Sequence, residues 1–208
     1  VSGTGGGPKY GNILVMPFGD GMDRIKHIDH RKDETIKLGY YSTRFHSSGI
    51  RTEITTASRA SFYRFTYPAD SLKSLAIDAG FFLGESPVPD AREAQQFVGS
   101  EVQIISDHEV TGYTRIRGGW NNGRAYTVYF YAETDQPFEH TATWKADKIT
   151  DEKSQYDSHQ KTGALLRFAS SADVVQLKVG ISFLSSQKAR RNAHSDIPHL
   201  SLIHISEP

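Results

Sequence analysis

The chain has no cysteine among its 208 residues. Disulfides, thiolate metal sites and cysteine nucleophiles are thereby excluded, and stability rests on packing. A surplus of one charge is also missing: Lys plus Arg and Asp plus Glu number 24 each, so no global positive field gathers phosphate backbones. With no RNP, zinc-finger or helix-turn-helix pattern either, nucleic acid is not an expected partner. No apolar run approaches the roughly 18 residues of a membrane-spanning helix, and no signal peptide is visible. Helical pattern is scarce. It is confined to residues 90–97 (DAREAQQF), with an acidic first turn, and 186–193 (SQKARRNA), with Ser185 or Ser186 as the N-cap.

Tyrosine (10) and phenylalanine (11) are plentiful, and β-type runs with turn punctuation fill most of the length. They fall at 12–17, 39–45, 49–56, 61–67, 72–79, 101–106, 110–117, 125–133, 138–144, 163–169 and 174–185. Ile50, Thr52, Ile54 and Thr56 alternate with Arg51, Glu53 and Thr55, the pattern of a strand buried on one side. Turn signals stand at Ser48-Gly49 and at Asn121-Asn122-Gly123. Many strands with few helices predict a single all-β domain, a large antiparallel β-sandwich with one or two short helices. The polar stretch 148–161 reads as a surface loop. The run 174–191 passes from a strand directly into a basic helix, and the start is an abrupt glycine loop, so the chain is expected to be an internal piece of a larger protein.

Three motifs bear on chemistry. In Ser2, Gly3, Thr4, Gly5, Gly6 and Gly7 the glycines permit close backbone approach to a ligand. The loop lacks the Lys-Ser/Thr ending of a P-loop and leads into a strand rather than a helix, so it reads either as a ligand-contacting loop or as a plain connection. His27, Asp29, His30, Asp33 and Glu34 lie close together, but their spacing suits no standard zinc or EF-hand pattern, and a solvated loop is the simpler reading. Trp120, at the glycine-rich bend Gly118-Gly119, reads either as a sugar-stacking platform or as packing over a hairpin end. Phe62, Tyr63, Phe65 and Tyr67 divide between two strand faces and read as packing. No paired carboxylates, Ser-His-Asp set or GxSxG elbow stands out.

SGTGGGPKYGNILVMP resembles the strand lead-in of the glycoside hydrolase family 92 exo-α-mannosidases. The similarity continues in order through His30, Glu34 and Gly39-Tyr40-Tyr41, the block GIRTEITTA at 49–57 and RFTYP at 64–68. Tyr129-Phe130, Glu133 and Pro137-Phe138 follow, and then LKVGISF at 177–183 leading into Ala189-Arg190. Leu38 and Asn12 depart from the proline and aspartate common at those places in the family.

This resemblance implies that the sandwich is of the galactose-mutarotase-like supersandwich type. It implies a parent enzyme whose second module, an α/α toroid, carries the acid, the base and the calcium ligands and cleaves mannose-containing glycans with inversion. Residues 1–199 would be the amino-terminal domain, incomplete at its start. This fragment would hold no calcium of its own, and alone it would be inactive. Its substrate contacts would be Ser2, Gly3, Thr4, Gly5, Gly6 and Trp120, at the mouth of the toroid's pocket. A bacterial periplasmic or extracellular location is implied as well. Residues 200–208 (LSLIHISEP) read as a non-native tail. Two other readings stand beside this one: an autonomous carbohydrate-binding module, and a structural sandwich of a surface protein.

Overall fold

The computed structural model describes residues 11–84, 94–119 and 123–199. Strands follow one another as β1 (Asn12–Phe18), β2 (Arg31–Lys37), β3 (Tyr40–Phe45), β4 (Arg51–Thr56), β5 (Ala60–Thr66), β6 (Ser74–Phe82) and β7 (Gln95–Ile104). Then come β8 (Glu109–Gly118), β9 (Tyr126–Thr134), β10 (Phe138–Lys145), β11 (Lys148–Thr150), β12 (Ser154–Asp157), β13 (Thr162–Phe168) and β14 (Val174–Ser182), and the chain closes with α1 (Ser186–Asp196). They form a five-stranded sheet, β1-β6-β13-β10-β11, and a nine-stranded sheet, β12-β7-β8-β9-β14-β5-β4-β3-β2. All pairings are antiparallel. The expected antiparallel β-sandwich is what the chain forms.

The period-two pattern decides what lies between the sheets. Phe130 and Ala132 of β9 and Val175, Leu177 and Val179 of β14 point inward, against Leu75 and Ile77 of β6 and Leu166 and Phe168 of β13. Each such Val, Leu, Ile or Phe side chain, fully buried, contributes roughly 1.5–3 kcal/mol. The outer face of the five-stranded sheet is covered in turn by the segment 19–30, which sets Met22 and Ile25 against Trp144 and Leu165.

Helix α1 lies across the outer face of the nine-stranded sheet. Ser185 caps it, its hydroxyl accepting from Lys188 N–H at 3.1 Å. Ala189 and Ala193 sit over Tyr131 and Gly180, where a Cβ on Gly180 would come within 2.7 Å of the Ala193 methyl. Ile197, just past the helix, joins Ala60 and Phe62, so Phe62 serves the helix face while Phe65 and Tyr67 serve the core.

Three local expectations are corrected. Residues 95–97 are not helical: Gln95, Gln96 and Phe97 open β7 and pair with Gly118, Arg117 and Ile116 of β8. Ladder pairing over ten residues overrides the helix preference of a short segment; residues 90–93 lie outside the described part. The stretch 148–161 holds two short strands, β11 turning back on β10 and β12 edging the larger sheet. Residues 31–37 are strand β2, the other edge of that sheet. These strands are polar because at a sheet edge only the backbone is engaged, and charge there discourages further pairing.

Candidate functional site

At one end of the sandwich four backbone hydrogen bonds tie together strand ends and loop stems, most of them far apart in sequence. Leu83 N–H donates to the Gly11 carbonyl at 2.8 Å, Gln95 N–H to Gly84 at 3.0 Å, Gly119 N–H to Ala94 at 2.9 Å and Gly118 N–H to Gly123 at 2.9 Å. The stems of segments 1–10, 85–93 and 120–122 are thus tied to one another by backbone hydrogen bonds. Gly84, Gly118 and Gly119 have φ of +83°, +84° and +78°, values that disfavour any side chain. A Cβ at Gly118 would also stand 2.6 Å from the Ala94 carbonyl oxygen. The stems are completed by Tyr126, whose hydroxyl donates to Gln95 Oε1 at 3.3 Å and whose ring meets Phe183 at 6.4 Å. Phe183 is 58 % and Leu184 75 % exposed here.

The sequence-derived contacts Ser2, Gly3, Thr4, Gly5, Gly6 and Trp120 all lie outside the described residues. What is described is that their attachment points, Gly11 on one side and Gly119 with Gly123 on the other, belong to this same end. Spacing alone could not show this, because the stems are far apart in sequence and meet only through sheet topology.

The 27–34 segment places its polar groups separately. Asp29 accepts from Ser47 N–H and Ser48 N–H, both at 2.8 Å. Burial works to raise its pKa, but those amides hold the carboxyl down at about 2. His27 is stacked on Phe18 with ring centroids 3.6 Å apart, and burial lowers its pKa. The His30 carbonyl accepts from His46 N–H, and Glu34 lies 3.6 Å from Arg31. Among the described residues no three His, Asp or Glu side chains are arranged to hold a metal ion.

Carboxylates do cluster on the outer face of the larger sheet. Glu133 meets Lys178 at 3.2 Å, His194 at 2.7 Å and the Tyr131 hydroxyl at 2.9 Å. Glu109, directly across the ladder, shares the Tyr131 hydroxyl and takes Arg190 at 2.8 Å. Glu53 is held by Arg64 and by the Tyr40 hydroxyl, each at 2.7 Å. Burial pushes the carboxyls of Glu53 and Glu133 up, yet the surrounding donors and cations outweigh it and both lie below the ordinary value. Glu53 thus ties neighbouring strands together, and Glu133 ties the sheet to the helix.

A two-sheet antiparallel sandwich with its glycine-rich stems gathered at one end defines the class. The model of the glycosyl hydrolase family 92 N-terminal domain matches residues 1–182, and the chain belongs to that family. Its fold is that of a glycosyl hydrolase of family 92, ccman5 (26 % identity, TM-score 0.77, covering 99 % of this chain and 27 % of that one). Two enzymes of Bacteroides thetaiotaomicron share it. They are the inverting mannosidase BT2199 (19 %, TM-score 0.73, 93 % and 25 %) and the α-mannosidase BT3965, solved with mannoimidazole (20 %, TM-score 0.77, 93 % and 26 %). The chain spans about a quarter of the length of each of these solved relatives. No curated protein matches it.

Proposed function

We propose that this chain is the non-catalytic amino-terminal module of a calcium-dependent, inverting exo-α-mannosidase that trims mannose-containing glycans outside the bacterial cytoplasm. In this reading the module packs on an α/α-toroid catalytic domain and lends the loop of Ser2, Gly3, Thr4, Gly5 and Gly6, together with Trp120, to the mouth of the toroid's pocket. The observation that carries it is the convergence of the loop stems at one end of a family 92 sandwich. Inversion needs an acid and a base roughly 6.5–9.5 Å apart across the sugar, and the reading assigns both, with calcium, to the toroid. The exposed Phe183 and Leu184 beside the stems supply apolar surface of the kind that modules bury against each other.

The test is complementation. The chain, wild type or Thr4→Ala, is mixed with the separately expressed toroid of a family relative, and mannose release is followed. Thr4→Ala should weaken the stimulation that the wild-type chain gives. Stimulation untouched by changes at each of positions 2–6 would remove that loop from the site.

A further inference from the structure

The outer face of the larger sheet is only partly covered. Helix α1 rests on β9, β14 and β5 and leaves β7, β12 and most of β8 clear of it. Across those open strands the registers set side chains in one row. Tyr156 stands opposite Glu101, Glu101 opposite Tyr113, and Tyr113 opposite Tyr129. At about 4.8 Å per strand the row is about 14 Å long. It crosses the middle of the face, about 20 Å along β7 from the loop stem at Gln95.

Sheet stability accounts for one part of this row. The rings of Tyr113 and Tyr129 lie 5.7 Å apart and tilted by 60°, an aromatic pair of the kind that holds neighbouring strands together. It does not account for Tyr156, which is 59 % exposed on an edge strand, or for Glu101. On the same face Glu53 has Arg64, Glu109 has Arg190 and Glu133 has Lys178. Glu101 is half-buried, receives neither an ion pair nor a hydrogen bond from the described residues, and burial pushes its pKa up unopposed. Burial chiefly, with Glu101, Tyr156 and Tyr129 adding to it, pushes the Tyr113 hydroxyl up to about 12, so at neutral pH it keeps its proton. Arg115 lies two positions along β8, on the same face and about 7 Å from Tyr113 along the strand. It is exposed, and it makes no ion pair with the described residues.

A strong acceptor and a strong donor thus stand near each other unpaired, beside an exposed ring. A cationic ligand meets Arg115, an anionic one meets Glu101, and an apolar one strips water from both charges. A sugar hydroxyl both donates and accepts, and the apolar face of a sugar ring matches the face of a tyrosine. We propose that the outer face of β12, β7 and β8 binds a neutral oligosaccharide, with hydroxyls held between Glu101 and Arg115 and a ring stacked on Tyr156. In the mannosidase of the proposed function this second hold on a glycan would raise its effective concentration at the pocket. The choice of mannose as the sugar rests on that reading, whereas the face itself does not.

The experiment is an NMR titration of the chain with mannotetraose, following the tyrosine rings, with maltotetraose and spermine titrated in parallel. Saturable shifts of Tyr156 and Tyr113 are expected with mannotetraose and none with spermine. Tyr156→Ala and Glu101→Gln should each bind at least about tenfold more weakly, the loss of a stacked ring or of a charged hydrogen bond. Glu101→Gln should melt no lower than wild type, because no partner is lost. Saturation by maltotetraose in place of mannotetraose would keep the face and count against the mannoside reading. No saturable shift with either sugar, shifts confined to Gly118 and Gly119 at the loop stems, the same ring shifts with spermine, or full affinity in both folded variants would each overturn the assignment.

Discussion

Burying a carboxylate costs several kcal/mol unless cations and donors surround it, and Glu133 has both: Lys178, itself buried, with His194 and the Tyr131 hydroxyl. Removing its charge strands Lys178, so Glu133→Gln should lower the unfolding free energy at neutral pH by about 3 kcal/mol. The pH dependence follows from the sign of the shifts. Glu53 and Glu133 are held below their ordinary values in the fold. Their stabilising effect is therefore complete above the unfolded carboxyl value near 4.3, and is lost as pH falls through the folded values. Stability measured by urea denaturation should fall on acidification below about pH 4.3, less steeply in Glu133→Gln; parallel curves would deny the cluster its role. Leu38 invites a second substitution. Lys37 pairs with Tyr40, leaving Leu38-Gly39 as the turn, and only Gly39 has positive φ, +73°. That is the pattern of a type II turn, whose first central position suits proline. Leu38 is fully exposed, so Leu38→Pro should raise stability by about 0.4–1 kcal/mol through the unfolded chain, and a lowered melting point would refute the turn assignment.

Among elements, α1 is seated by the small residues Ala189 and Ala193 and by the pairing of Arg190, His194 and Asp196 with Glu109, Glu133 and Arg59. Gly180→Ala would press a methyl into Ala193 and the Ala189 carbonyl, and is expected to cost about 1–3 kcal/mol; unchanged denaturation would mean that the helix is not seated there. Loss of the cap in Ser185→Ala should cost about 1 kcal/mol. The strand-to-helix passage at 174–191 and a serine cap at 185 or 186 were legible in sequence, since hydrophobic period and capping residues are local signals, and the structure places the cap at Ser185. The continuation to Asp196 was not. It depends on Arg59, 137 residues away, whose side chain and backbone N–H both reach the Asp196 carboxylate. The same limit explains β2, β11 and β12: edge strands pair through backbone alone, so their polar side chains give no period to read. It also explains residues 95–97, where partners on β8 settle what propensity left open.

On the scale of the whole molecule, the fold class and the family were readable because alternating runs and colinear motifs extend over nearly the entire chain. The candidate site was readable only as residue types. Gly11, Gly84, Ala94 and Gly119 meet through sheet order, which spacing along the chain does not encode. The apolar Phe183 and Leu184 beside the stems should make the isolated chain bind a hydrophobic dye, and Phe183→Ser with Leu184→Ser should reduce that binding; dye binding unaffected by the pair would place the sticky surface elsewhere. The central claim is that this module assists mannoside hydrolysis without performing it. The most direct measurement is mannose release from an α-mannoside by the purified chain with calcium, alone and after adding a relative's toroid. The account predicts none from the chain alone and calcium-dependent release once the toroid is present; calcium-dependent release by the chain alone would contradict it.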